Sequence, residues 1–208
     1  MITPMYNPVN FDAWINKGFA LYKQNFALLV VTSLIAIVLS VITGGILAGP
    51  MLAGMILITL RLLRGTQPKP EIGTLFDGFN HFAQTLQFVL VWGIIYLVVS
   101  RALIFFTLCL GGAIAIVGCL TLGTLLMFAM FLIVDRGMPF WPASLASIEA
   151  VKTAFWPLLG FGLVVQLMAM SGNLLCGIGA IFTLPIYTCA MAIAYEDFMS
   201  SPTPPPSA

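Results

Sequence analysis

The sequence predicts an all-α integral membrane protein, with six transmembrane helices and interfacial amphipathic helices beside them. Three observations carry that expectation. Only 7% of the 208 residues are charged and 61% are hydrophobic, with a mean hydropathy of +1.08. A soluble domain carries about 25% charged residues because its surface faces water, so most of this surface must face lipid. The apolar runs are long and unbroken: Ala27 to Val41, Phe88 to Ser100, Ala102 to Val134. Lipid admits only helices or a closed barrel. Barrel strands alternate apolar and polar over about ten residues, whereas these runs approach the roughly 20 apolar residues of a spanning helix. The third observation is a one-sided distribution of charge.

The elements follow in order. Residues 1 to 8 form a short leader with Pro4 and Pro8 and no basic n-region, so the first apolar run is expected to be a retained span, not a cleavable signal. Over 10–26, Phe11, Trp14, Ile15, Gly18, Phe19, Tyr22 and Phe26 recur at three- and four-residue spacing, opposite Asp12, Asn16, Lys17, Lys23 and Gln24. That pattern predicts an amphipathic helix in the membrane interface, or the juxtamembrane end of the first span. Span 1 covers Ala27 to Thr43. The stretch GGILAGPMLAG (44–54) then predicts a tight turn, since glycine permits turn dihedrals. Span 2 covers Ile46 to Leu63, with Pro50 in its first turn. A polar loop follows at 65–70, and TLFDGF (74–79) reads as a short interfacial helix.

Span 3 covers Phe88 to Leu108, Gly111 and Gly112 mark a turn, and span 4 runs to Val134. Residues 139–155 form a second interfacial segment, with Glu149 and Lys152 exposed. Span 5 covers Trp156 to Asn173. Span 6 covers Ile178 to Tyr195 and is expected to kink at Pro185, which removes a backbone hydrogen bond. Residues 1–198 thus form one domain, and the proline-rich 199–208 tail is expected to be disordered.

Threading six spans puts residues 1–26, 61–87, 135–155 and 196–208 on one side. All seven acidic residues fall there, as do Lys17, Lys23, Arg61, Arg64, Lys69, Arg136 and Lys152, seven of the eight basic ones. The opposite side receives only the turns near 44–50, 107–112 and 173–179, which carry no charge. Lysine and arginine set orientation, so both termini are expected in the cytoplasm. Treating span 2 as re-entrant would carry Arg61, Arg64 and Lys69 to the far side, which favours six spans.

Segments 22–62 and 151–197 share a layout. Each has a lysine three residues before a phenylalanine (Lys23 and Phe26; Lys152 and Phe155), then a span, a glycine-rich turn, a proline (Pro50; Pro185) and closing charges. Both units start on the same side, as a parallel repeat would; convergence on the needs of a helical hairpin is the other explanation. LYKQNF, Gly49-Pro50, Gly54, LFDGF (75–79), Gly177, Gly179, Pro185 and AYEDF (194–198) give a resemblance over residues 10 to 198. The chain resembles polytopic bacterial proteins of unknown function related to the membrane domain found on some glycerophosphodiester phosphodiesterases. The resemblance implies a six-helix inner-membrane protein. It implies no hydrolase activity, because nothing here resembles the soluble catalytic domain.

The candidate intramembrane polar or lipid site is Arg101, the one charge expected inside the membrane, about 20 Å from the cytoplasmic end at 1.5 Å per residue. An arginine at that depth either snorkels or marks a functional site. Gln166 sits at similar depth on span 5 and is its expected partner, together with backbone carbonyls or an anionic lipid. Gly111, Ala115, Cys119 and Gly123, four residues apart, form a helix-packing stripe, expected to face another helix of the bundle or another protomer. Cys109, Cys119, Cys176 and Cys189 lack metal-ligand spacing and read as small apolar residues. His81 reads as solvated or capping, and Asp77, Asp135 and Glu149 as interfacial capping residues.

No paired nucleophile and base is legible, so no catalytic residue, cofactor or metal is expected. The expected function is non-catalytic: an accessory, scaffold or assembly subunit, with the lipid bilayer, other membrane subunits or a second copy as partners and no nucleic acid. The rival expectation is a small transporter, channel or lipid-handling protein built around Arg101 and Gln166.

Overall fold

In a computed structural model of the chain, the described residues are 10–106, 111–174 and 179–199, with the backbone alone at 100, 103–106, 111–116, 119, 170, 171, 173 and 174. They are helical, and no strand occurs among them. Residues 1–9, Cys109, Cys176, Gly177 and the residues from 200 on lie outside the described residues, as do the expectations placed on them.

Helix α1 (Phe11–Gln24) carries Asp12 in its first turn and Lys23 in its last, the charge order that the helix dipole favours. At Asn25 the chain turns by 91° into α2 (Phe26–Ile42). The Asn25 carboxamide donates to the Leu21 carbonyl at 3.1 Å. The polar side chains of α2 bond back to their own helix: Thr32 to Leu28 O, Ser40 to Ala36 O, Thr43 to Leu39 O. Gly44 and Gly45 then adopt φ of 61° and 90°, which only glycine enters freely, and the chain reverses into α3 (Ala48–Leu63). The predicted tight turn is therefore present at its glycine pair.

A 3₁₀ helix, η1 (Ile72–His81), occupies the stretch read as a short helix. It continues directly into α4 (Phe82–Phe106). Helix α5 (Gly111–Leu125) and the short α6 (Ala129–Arg136) are separated by a break at 126–128. The sequence shows no glycine or proline there and predicts continuity. Helix α7 (Phe140–Thr153) occupies the second interfacial segment and turns by 112° into α8 (Phe155–Leu174). Helix α9 (Ala180–Met199) closes the chain and keeps Pro185 inside it.

Both right-angled corners fall at the shared lysine–phenylalanine motif, between Lys23 and Phe26 and between Lys152 and Phe155. The contacts extend this likeness to three units: α1–α2–α3, η1–α4–α5–α6 and α7–α8–α9. Each unit starts with a short leading helix that packs on the last helix of another: η1 on α3, α7 on α6, and α1 back on α9. The long helices repeat the cycle, with α4 beside α3, α8 beside α5 and α2 beside α9. The two segments that share a layout in the sequence thus fall in two of three units that contact one another in a cycle.

The last helices α3, α6 and α9 form the inner layer. Ala129 to Val134 of α6 are buried at every position, and so are Met191 to Tyr195 of α9. Tyr195 stacks on Phe131 at 5.2 Å and Phe198 on Phe128 at 5.7 Å between ring centroids. Small residues allow the leading helices to seat. A methyl group on Gly54 would overlap the carbonyl of Leu75, and one on Gly78 the backbone of Pro50 and Gly54. Gly18 of α1 also sits against the backbone of Ala190, though less tightly.

Two serines repair the backbone of neighbouring helices. Pro185 cannot donate to Ile181 O, and the Ser33 hydroxyl of α2 reaches that carbonyl at 2.6 Å, with Val30 O also in range at 2.8 Å. At the break before α6, Ser147 of α7 donates to Leu125 O at 2.8 Å and accepts from Phe128 N–H at 3.3 Å. Buried backbone groups require such partners.

By length and composition, Ile72–Val99 can cross a membrane alone, or up to three stretches can if each right-angled pair is counted as one. Ala48–Leu63 is apolar but shorter.

Candidate functional site: an ionic hub joining three helix ends

The polar side chains concentrate where α3, α6 and α9 end. A carboxylate at a helix C-terminus faces the negative end of the dipole, so Asp135 on α6 and Glu196 on α9 need an outside cation. Arg64, just past α3, supplies it. Its Nη1 and Nη2 reach the two Asp135 oxygens at 2.5 and 2.9 Å, and its Nε reaches Glu196 at 2.5 Å. A planar guanidinium matches a carboxylate in this two-point manner. Tyr195 donates its hydroxyl to Asp135 at 2.9 Å. Gly137, at φ 63°, ends α6 immediately after Arg136, and Arg136 Nη2 donates to Met199 O at 3.2 Å.

Burial acts to raise the Asp135 carboxyl, but hydrogen bonds from Arg64 and Tyr195 and the charges of Arg64 and Arg136 hold it below the usual carboxylate range. The Arg64 guanidinium is raised, first by its bond to Asp135, against desolvation and with help from Glu196. Both groups are ionised throughout the physiological range.

Around the hub, each leading helix has its own tie. The Trp14 indole of α1, 1% exposed, donates to Asp197 at 2.6 Å. Its ring meets Phe161 edge to face at 5.1 Å. Asp77 of η1 pairs with Arg61 of α3 at 3.1 Å. On α7, Ser147 and Ser144 are buried, and Ser144 accepts from the Trp92 indole at 3.0 Å. Asp135 and Asp77 are thus tied to cations on other elements, where the sequence suggested capping.

The residues singled out from the sequence stand elsewhere. Arg101 is exposed on α4, following the exposed run Ile94 to Val99. Gln166 of α8 lies against Gly123 of α5. No hydrogen bond joins Arg101 to Gln166 among the described residues. Of the small-residue stripe, Gly123 faces α8 within the same bundle; the side chains of Ala115 and Cys119 and the surroundings of Gly111 lie outside the described residues. Cys189 is a buried free thiol. His81 is half-buried in the last turn of η1, and Glu149 is exposed on α7.

Sequence reasoning passed over Arg64, Glu196 and Tyr195 as site residues. A signal was present: each inner helix ends in charge, at RLLR (61–64), VDRG (134–137) and AYED (194–197). Among the described residues no group of three or more His, Cys, Asp or Glu side chains is placed to hold a metal ion. The hub holds Arg64 in pairs with Asp135 and Glu196, an arrangement that ties helix ends together. Comparisons with protein-family models, with curated proteins and with solved structures return no match to this chain.

Proposed function

We propose that the chain is a six-span protein of the bacterial inner membrane, with both termini in the cytoplasm, acting as a non-catalytic scaffold or assembly subunit. The spans are α2, α3, α4, α5 with α6, α8 and α9, and α1, η1 and α7 lie at the cytoplasmic interface. The observation that carries this reading is the hub. Charged residues from segments far apart in sequence, which the threading puts on one side, meet there through the chain's own ion pairs.

Further support comes from the corners. Turns of 91° and 112° are what a surface-lying helix needs to enter a bundle along the membrane normal. The 17 residues of α2 give about 26 Å at 1.5 Å per residue, near the lower limit for crossing a bilayer core of about 30 Å. Exposed aromatic residues recur on or beside all three leading helices: Phe19 and Phe26, Phe76 and Phe79, Trp141 and Trp156. Such rings favour headgroup depth. The resemblance to phosphodiesterase-linked membrane domains agrees with a six-helix membrane unit and adds no activity.

The test has two parts. Impermeant amine labelling of intact cells should miss Lys69 and Lys152; labelling of either from outside overturns the threading. Native mass spectrometry of the detergent-solubilised protein should show further subunits or a homo-oligomer; a bare monomer from every mild extraction overturns the scaffold role. Substrate-dependent transport by the purified chain, abolished by Arg101→Leu, would favour the transporter alternative.

A further inference from the structure

The α1–α2 corner and the loop from α3 to η1 enclose a crevice of about 190 Å³. Apolar Leu21 and Leu62 line it together with Gln24, Asn25, Arg61, Thr66, Gln67 and Lys69. Two cations line it and no carboxylate does. A second opening of about 560 Å³ shares Arg61 and Lys69 but is lined also by Glu71 and Asp77, so an anion is favoured on the corner side.

We propose that this crevice is a binding site for a phosphate-bearing anion, in the first place the headgroup of an anionic lipid. The inference rests on the membrane reading above for its depth: the corner at Asn25 is where a surface-lying helix turns into the bundle. Lys69 is exposed and has no ion-pair partner among the described residues, so its charge is available. Arg61 spends one nitrogen on Asp77 at 3.1 Å, with both side chains about two-fifths exposed (41% and 43%). A guanidinium has five N–H donors, which leaves several for a phosphate. The Gln24 carboxamide adds a neutral donor, and the apolar Leu21 and Leu62 suit the first carbons below a phosphodiester. Two cations beside apolar Leu21 and Leu62, at the depth the membrane reading gives, match a phospholipid better than a small polar metabolite.

The experiment uses the full chain, purified in detergent and delipidated. Phosphatidylglycerol, phosphatidylcholine and inorganic phosphate are titrated separately, with bound lipid read by native mass spectrometry and phosphate by thermal shift. Phosphatidylglycerol should bind more tightly than phosphatidylcholine. Lys69→Gln should weaken it about fivefold, as for one cation near an anionic membrane surface, and Arg61→Gln with Lys69→Gln further. Lys152→Gln, on the same face but outside the crevice, should change nothing.

Lys69 is exposed and unpaired, so its variant keeps the test sound if the double variant fails to fold. A Lys69-dependent response to inorganic phosphate without one to phosphatidylglycerol supports the phosphate site and assigns it to a soluble ligand. Equal losses for Lys69→Gln and Lys152→Gln, or no loss for Lys69→Gln, overturn the site. The membrane reading fails on different data, the outside labelling of lysines, so the two failures are distinguishable.

Discussion

The inner helices α3, α6 and α9 and the outer helices α2, α4 and α8 are all strongly apolar, yet they use that apolarity in opposite ways. Met55 to Leu60 of α3 and Ala129 to Val134 of α6 are nearly all hidden, while α4 leaves Ile94 to Val99 open and α8 leaves Leu163, Val164 and Leu167 open. The hidden helices are in fact the less apolar of the two sets. What separates them is small residues along the length and charges at the end. Gly54 and Ala190 admit another helix at backbone distance, and Arg64, Asp135 and Glu196 lock the inner ends together.

The sharpest way to break this contrast is to add one methyl group to each layer. Gly54→Ala should lower stability by about 3 kcal/mol, at the upper end for overpacking, because the new carbon meets the fixed carbonyl of Leu75. Gly93→Ala on α4 meets nothing within 4 Å and should gain about 0.5–1 kcal/mol from helix propensity. Thermal unfolding in detergent reads both; equal effects would erase the distinction between layers.

Ser147→Ala comes next. It strands Leu125 O and Phe128 N–H at the break in the inner layer, at a cost of about 2 kcal/mol, and should raise hydrogen exchange at Phe128. An unchanged exchange rate would mean that the break does not depend on α7.

Arg64→Met should cost about 1–2 kcal/mol, less than a fully buried pair because Arg64 is 41% exposed to screening solvent. A pH series sharpens it. Asp135 is held below its ordinary value in the folded chain, so the unfolded chain binds more protons. That stabilisation is whole above about pH 4 and disappears as pH falls through the folded value. Arg64→Met should flatten this acid limb; an unchanged limb would place its origin at other carboxylates.

The smallest effect is expected at the outer layer's own charge. Arg101→Leu should cost no stability, since an arginine on the exposed side of a proposed span is itself unfavourable in lipid. A loss in unfolding or lipid-retention measurements would make Arg101 a site after all.

Much of the helical layout was legible because it depends on local signals. The corner at Asn25 follows from the change between an amphipathic pattern and a continuous apolar run, and the reversal after Thr43 from Gly44 and Gly45. The interruption before α6 was not legible: Leu126, Met127 and Phe128 are ordinary helix residues, and the device that permits it, Ser147, lies 19 residues away from Phe128. The hub was half legible. Its charges stood out, but which carboxylate Arg64 would meet depends on three helices converging. The dominance of Arg101 in the sequence reading has a similar cause, since a lone charge in an apolar run attracts attention whether or not the fold gives it a neighbour.

The seat of α1 on α9 has a consequence for biosynthesis. Trp14 and Asp197 are 183 residues apart, whereas η1 and α7 each find their supporting helix already made when they leave the ribosome. The first amphipathic segment must therefore wait, indole uncovered, through almost the whole of translation. Any chain cut short before residue 180 would lack α9 and leave that segment permanently without a berth.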